Sequence, residues 1–92
     1  MIEEDLSYFQ NLTSLDLSDN RIRLEQLKNL KSLTELNIQY NQIQAIPELT
    51  IEDFPSLESL NLSYNQLHFN SVQNLTAIRR LKILDLTANG LY

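Results

Sequence analysis

Apolar residues recur along this chain in a single pattern that is repeated four times. In each copy, three apolar positions are separated first by two residues and then by one, and an Asn follows three residues after the last. A further apolar residue comes two positions after the Asn. The copies are residues 12–22, 33–43, 57–67 and 81–91. A repeat of this length predicts a stack of similar units, because one unit alone cannot bury its apolar side.

The alternation inside each copy predicts a short strand with one buried face. In the first copy Leu15 and Leu17 point inward, while Asp16 between them points outward. The Asn falls where the strand ends and the chain must turn. Its amide can donate and accept hydrogen bonds with backbone groups that such a turn exposes. Stacked copies therefore align a structural ladder of asparagines, namely Asn20, Asn41, Asn65 and Asn89.

The segments between the copies return the chain to the next strand. Two of them carry apolar residues spaced like one face of a helix, namely Leu24, Leu27 and Leu30, and then Val72, Leu75 and Ile78. Ser71 is the expected N-cap of the second helix. The middle return, residues 45–56, holds both prolines, which predicts an extended segment or a short 3₁₀ turn. Its apolar residues are expected in the core: Ile46, Leu49, Ile51 and Phe54.

The repeated pattern resembles that of the leucine-rich-repeat family, whose L-x-x-L-x-L-x-x-N-x-L core is matched at every defined position of the four copies. The resemblance covers residues 9–91. It implies an α/β solenoid, a right-handed superhelix with a short parallel β-sheet on its concave face and helical or irregular returns on its convex face. We expect a single leucine-rich-repeat domain over residues 1–92, with a candidate N-terminal cap in residues 1–9 and no C-terminal cap. The uncapped end predicts either continuation into further repeats or self-association.

The outward-facing positions beside the strand leucines form the expected binding surface. Tyr40 and Tyr64 are the first candidates for partner contacts, because tyrosine buries a large flat area and keeps a polar tip. The alternative is that the two rings only pack on each other as cross-strand neighbours. The other candidates on the concave face are Asp16, Asp19, Glu35, Asn37, Gln39, Asn61 and Asp85.

Charge and composition limit the kinds of partner and of chemical site that this chain could have. Seven basic and twelve acidic residues give a net charge of -5, which disfavours nucleic acid and favours a basic protein partner. A single histidine, His68, with no cysteine and one glycine, leaves no catalytic constellation, cysteine metal site or phosphate loop. Asp16 and Asp19 lack the third carboxylate that a calcium site needs. We therefore expect neither an enzyme nor a cofactor.

The sequence predicts a cellular location and a function, and it leaves alternatives open for both. The acidic N-terminus and the lack of a long apolar run predict a cytoplasmic protein with no membrane partner. Glycosylation sequons at Asn11, Asn61 and Asn74 keep an extracellular receptor fragment open. The leading hypothesis is a protein-interaction module or scaffold that binds its partner on the concave face. The alternatives are a structural spacer in a larger repeat protein and a receptor ectodomain fragment.

Overall fold

The computed structural model describes residues 10–90, which contain four short parallel strands in one sheet. The strands follow chain order and are β1 (Ser14–Asp16), β2 (Glu35–Asn37), β3 (Ser59–Asn61) and β4 (Ile83–Asp85). Their central leucines pair in direct register along the whole sheet, in the order Leu15, Leu36, Leu60 and Leu84. The predicted solenoid with a parallel sheet is confirmed.

The hydrophobic core forms one cluster along the stack of repeats. Leu36 and Leu60 on the inner strands are only 2% and 1% exposed. Leu15 on β1 is half-buried, and Leu84 on β4 is 39% exposed. Burial falls toward the outer strands because each repeat is covered only by its neighbours, and within residues 10–90 the outer strands have one neighbour each.

The asparagine ladder ties successive turns together. The side-chain amide of Asn41 donates to the carbonyl of Ile38 in its own repeat at 2.9 Å and to that of Leu17 in the preceding repeat at 3.0 Å. Its oxygen accepts from the backbone N–H of Ile22 at 2.8 Å. The side-chain amides of Asn65 and Asn89 likewise donate to carbonyls of two repeats. One buried side chain therefore satisfies backbone groups on two turns.

Both helical returns are 3₁₀ helices, Leu24–Gln26 and Phe69–Ala77. The prediction of Ser71 as an N-cap is wrong, because the helix begins after His68 and Ser71 lies in its first turn. The Ser71 hydroxyl instead donates to the His68 carbonyl and accepts from the backbone N–H of Ile46, each at 3.1 Å. It joins two neighbouring returns. The expected inner-face residues are all buried or half-buried: Leu24, Leu27, Leu30, Val72, Leu75 and Ile78.

The middle return has no helix between residues 45 and 56 and ends in turns. Ile46 and Phe54 are buried as expected, but Ile51 is 64% exposed, so its predicted core position is wrong. The reason is a tight turn, in which the carboxylate of Asp53 accepts from the backbone N–H of Thr50 at 2.8 Å. This turn places Ile51 at its tip, away from the core.

Two predictions fall on residues that lie outside the described range. The first is the candidate N-terminal cap in residues 1–9. The second concerns the end of the chain, where Leu91 completes the fourth copy of the pattern and Tyr92 follows it. Within residues 10–90, no helix has the length and apolar character required to cross a bilayer.

Candidate functional site

One column of polar side chains runs across the sheet at the carboxyl ends of its strands. It consists of the last residue of each strand, and the strand register sets these residues side by side: Asp16, Asn37, Asn61 and Asp85. The two aspartates are exposed, and the two asparagines are half-buried. Glu35, also predicted for this face, lies exposed on β2 opposite Ser59. The register therefore brings these sequence candidates to one surface.

Every member of this column also has a local structural role. Its side-chain oxygen accepts a hydrogen bond from the backbone N–H two residues later, an Asx turn that ends the strand. The bond lengths are 3.0 Å at Asp16, 3.1 Å at Asn37 and 2.9 Å at both Asn61 and Asp85. One oxygen of each side chain is therefore occupied.

The same bonds change the acidity of the two aspartates. The backbone N–H of Ser18, followed by its hydroxyl, lowers the pKa of Asp16 below the ordinary value of 3.8. The hydroxyl of Thr87, followed by its backbone N–H, lowers the pKa of Asp85 in the same direction. Donors stabilise the ionised form of a carboxyl group. Both ends of the column therefore carry a negative charge at neutral pH.

A second column follows three residues after the first, just beyond the strand ends. It consists of Asp19, Tyr40, Tyr64 and Ala88, and all four have a left-handed backbone with φ between 57° and 61°. Neighbouring turns stay hydrogen-bonded here, since the backbone N–H of Tyr40 donates to the Ser63 carbonyl at 3.3 Å. The column is thus a continuation of the sheet, although it lies outside the strands.

The rings of Tyr40 and Tyr64 stack on each other. Their centroids lie 4.6 Å apart, and their planes are inclined by 13°. Tyr40 nevertheless remains 49% exposed and Tyr64 47% exposed. The two interpretations of this pair are therefore compatible, because the rings pack together and still present a large aromatic surface to solvent.

The left-handed conformation is costly for a bulky side chain, about 1–3 kcal/mol for each such residue. The inter-turn hydrogen bonds and the Asn that follows each tyrosine hold the backbone in this shape. Strain of this kind persists only where the surroundings determine the conformation. The fold therefore fixes the position of both aromatic rings rather than leaving them on a mobile loop.

Two neighbours of the tyrosines, Gln42 and Gln66, were not singled out by the sequence. The pair sits in a shallow, open depression whose walls include Asp19, Ala88, Gln42 and Gln66. Gln42 and Gln66 come directly after ladder asparagines, so the repeat register alone could have indicated them.

A small polar network lies beside this depression. The side-chain oxygen of Gln39 accepts from the Ser63 hydroxyl at 3.2 Å and from the Asn61 amide at 3.4 Å. The Ser63 hydroxyl also lies 2.6 Å from the Asn61 oxygen. Gln39 and Asn61, both predicted to contact a partner, are therefore held in place by each other and by Ser63.

The other side of the sheet surface carries an ion pair and an apolar residue. The ammonium of Lys82 lies 3.6 Å from the carboxylate of Glu58, with both side chains exposed. Such surface pairs contribute only about 0–1 kcal/mol. Ile83, next to the pair, is 64% exposed. This edge thus differs from the aromatic depression in having a positive charge and an aliphatic side chain.

Other chemically suggestive residues are dispersed. His68 is exposed at the start of the second 3₁₀ helix. In the part of the chain that the structure describes, His, Asp and Glu side chains form no group of three or more that could hold a metal ion.

The three sequons occupy different environments. Asn11 is exposed, whereas Asn61 belongs to the polar network on the concave face. The Asn74 amide donates to the Ile46 carbonyl at 2.9 Å and joins two returns. A glycan would therefore meet the least obstruction at Asn11.

Comparison with known proteins agrees with this geometry. A family model described as leucine rich repeat matches twice, over residues 10–67 and over residues 31–91. A search of curated proteins finds no match. The two matches together span all four strands, the asparagine ladder and the intervening returns. On the strength of these matches and of the stacked parallel strands, the chain belongs to the leucine-rich-repeat family.

Proposed function

We propose that this domain binds another protein on its concave surface, with Tyr40 and Tyr64 at the centre of the contact. Leucine-rich-repeat domains are generally protein–protein interaction modules, and they are known as non-enzymatic ones. The observation that carries the proposal is the stacked tyrosine pair, half-exposed in an open depression.

The pair has the physical properties of an interface anchor. Tyrosine is enriched among the residues that contribute most to binding, because its ring buries a large area and its hydroxyl keeps a hydrogen bond. Ordering a free side chain costs about 0.5–1.5 kcal/mol on binding. Stacking and the fixed left-handed backbone have already ordered Tyr40 and Tyr64, so this cost is reduced.

The charges around the pair support a basic partner. Asp16, Asp19 and Glu35 are exposed on the first two repeats, and the whole chain carries a net charge of -5. Complementary charge accelerates association and discriminates against wrong partners. The same charge opposes contact with nucleic acid and with anionic lipid, so we propose neither as a partner.

The proposal is tested by measuring binding to a partner that has been captured from a native extract and identified. Replacement of Tyr40 and Tyr64 by Ala should weaken binding by about tenfold or more, which is the level expected for anchor residues. Phe69→Ala is the matched control, since this aromatic residue is 70% exposed on the return side. Unchanged affinity in the tyrosine variant, with the fold verified by circular dichroism, would refute the surface assignment.

A second candidate function is self-association through the edge of β4. Its support is the exposure of Ile83 and Leu84, at 64% and 39%. Sedimentation velocity over a range of concentrations tests it. A dimer that dissociates upon Ile83→Lys would support this function, and a monomer at all concentrations would exclude it.

We also propose a cytoplasmic location, with the extracellular one as the alternative. Asn11 is the sequon whose side chain is exposed and not committed to a bond between repeats. Mass spectrometry of native protein decides between the two, since a glycan at Asn11 would require passage through the secretory pathway.

A further inference from the structure

The outer face of the Tyr40 ring, on the side away from Tyr64, is not stacked on another ring in the described part of the chain. Asp19, Tyr40, Tyr64 and Ala88 occupy equivalent positions on four successive turns and share one backbone conformation. Rings are present on the two middle turns only. Next to Tyr40 the equivalent residue is Asp19, whose side chain is too short to cover the outer face of the ring. This outer face is therefore unstacked within residues 10–90, where the one aromatic contact is that between the two tyrosines.

The position beside Tyr40 combines an aromatic face with a carboxylate. Neighbouring turns of a sheet lie about 4.8 Å apart, and the backbone N–H of Asp19 donates to the Gln39 carbonyl at 3.0 Å, which keeps the two turns at this spacing. A planar group stacked on the outer face of Tyr40 would therefore lie directly above Asp19. Asp19 is exposed and forms no ion pair with any residue from 10 to 90.

We propose that this slot binds an arginine side chain of the partner protein, with the guanidinium stacked on Tyr40 and paired with the carboxylate of Asp19. A cation over an aromatic ring within about 6 Å of its centre is attracted by the ring. The guanidinium suits the slot better than the ammonium of lysine, because it is planar, weakly hydrated and able to bond a carboxylate through two N–H groups. The proposal rests on the proposed function, since it specifies what the concave surface recognises.

The opposite end of the pair differs in charge. Ala88 takes the place of Asp19 there, so the outer face of Tyr64 has no carboxylate at the equivalent position. The acid nearest to that end in the other column is Asp85, whose oxygen accepts from the Thr87 backbone at 2.9 Å. A carboxylate is therefore present beside the outer face of Tyr40 and absent beside that of Tyr64, which places the arginine at the Asp19 end.

The test uses the full chain and two capped tripeptides, Gly-Arg-Gly and the same peptide with neutral citrulline in place of arginine. Titration is followed by NMR, which measures millimolar dissociation constants. The arginine peptide should shift the Tyr40 ring signals and the Asp19 carboxyl signal, and the ring current should move its δ-methylene protons upfield. The citrulline peptide should bind about fivefold more weakly or not at all, because it lacks the charge.

Two variants with the same change in net charge locate the site. Asp19→Asn keeps a residue type that tolerates the left-handed backbone, and it should weaken binding of the arginine peptide about fivefold. Glu48→Gln, at an exposed residue of the middle return away from the concave face, should change the affinity less than about twofold. Tyr40→Ala should abolish the upfield shift of the peptide protons.

Three results would overturn the arginine slot. They are equal binding of the two peptides, equal losses in the Asp19→Asn and Glu48→Gln variants, and shifts confined to Tyr64 and Ala88. The peptide comparison on the wild-type chain needs no substitution, so it remains decisive if a variant fails to fold. If the double tyrosine variant loses its partner but the wild-type chain does not bind the arginine peptide, the arginine slot alone is contradicted. Intact partner binding in that variant would contradict the proposed function itself.

Discussion

The side-chain oxygen of Asn65 accepts a hydrogen bond from the backbone N–H of Asn41, one repeat earlier, at a distance of 2.9 Å. The same oxygen accepts from the backbone N–H of Ile43 at 3.0 Å. Its amide nitrogen donates to the carbonyls of Ile38 and Leu62. All these groups are buried, so loss of this side chain would leave several of them without a partner.

We therefore predict that Asn65→Ala lowers the free energy of unfolding by about 2–4 kcal/mol, since each unsatisfied buried group costs about 1–3 kcal/mol. Asn20→Ala is the matched control. Asn20 is half-buried and, among the described residues 10–90, it donates only within its own repeat, to Leu17 and Ser18. Urea denaturation of both variants measures the difference. Equal losses would mean that the bonds between repeats contribute little.

A second prediction compares two isoleucines in the middle return. Ile46 is 2% exposed and Ile51 is 64% exposed. Ile46→Ala should destabilise the fold by about 2–5 kcal/mol, because it removes buried methyl groups and leaves a cavity. Ile51→Ala should change stability by less than about 0.5 kcal/mol. Thermal and urea unfolding check both values, and a large loss in Ile51→Ala would contradict the tight turn described for this return.

A third prediction concerns the left-handed backbone at Tyr40, where φ is 59°. Tyr40→Asn and Tyr40→Val both remove the stacked ring. The difference between their stabilities therefore reports the cost of the left-handed backbone. Asn tolerates this conformation and a β-branched residue does not. We expect the Asn variant to be more stable by about 1–2 kcal/mol. Denaturation midpoints of equal value in the two variants would show that the chain has relaxed out of this conformation.

A fourth prediction follows from the lowered pKa values of Asp16 and Asp85. A group whose pKa is lower in the folded chain stabilises the fold above its unfolded pKa, near 3.8, and loses that contribution as the pH falls through the folded value. Carbon NMR titration of the side-chain carboxyls should give midpoints below 3.8 for both residues.

The hydrogen-bond donor that lowers the pKa of Asp85 can be tested by a separate substitution. Thr87→Ala removes the hydroxyl that contributes most to lowering the pKa of Asp85, so that pKa should rise toward 3.8. Asp16 lies on β1, three strands away, and its pKa should stay unchanged in this variant. If both pKa values moved together, the substitution would have disturbed the fold more widely than one local hydrogen bond.

The sequence predicts the parts of this fold that depend on regular spacing. The interval between Leu15 and Leu36, and the later intervals of the same kind, determine the strand register, because only stacking can bury these residues. The ladder asparagines follow for the same reason. Each lies where a strand ends and backbone groups need partners.

The errors come from segments in which a single local bond decides the geometry. Ile51 has the composition of a core residue, but the bond between Asp53 and Thr50 closes a turn beneath it. Ser71 fits the pattern of an N-cap, but its hydroxyl is used between two returns. Neither bond has a signature in the spacing of apolar residues.

The strand register behind the candidate site was predicted from the sequence, but the shape of the site was not. The register indicates that Tyr40 and Tyr64 are neighbours, and the structure adds their stacking. Their left-handed backbone could not be anticipated from residue type, since of Asp19, Tyr40, Tyr64 and Ala88 only the aspartate favours it. The conformation is imposed by the turn and by the asparagine that follows, and not by the tyrosines themselves.

Within residues 10–90 the sheet is a single row of strands, in which hydrogen bonds join only strands that follow each other in the chain. Amide protons should accordingly exchange with deuterium at graded rates, slowest at Leu36 and Leu60 and fastest toward the outer turns, as an unravelling that starts from the ends would produce. The tyrosines belong to the two turns that are expected to exchange slowly. We therefore expect the proposed contact residues to lie on the part of the molecule that opens least often, so that a ligand finds them in place even while the outer turns fray.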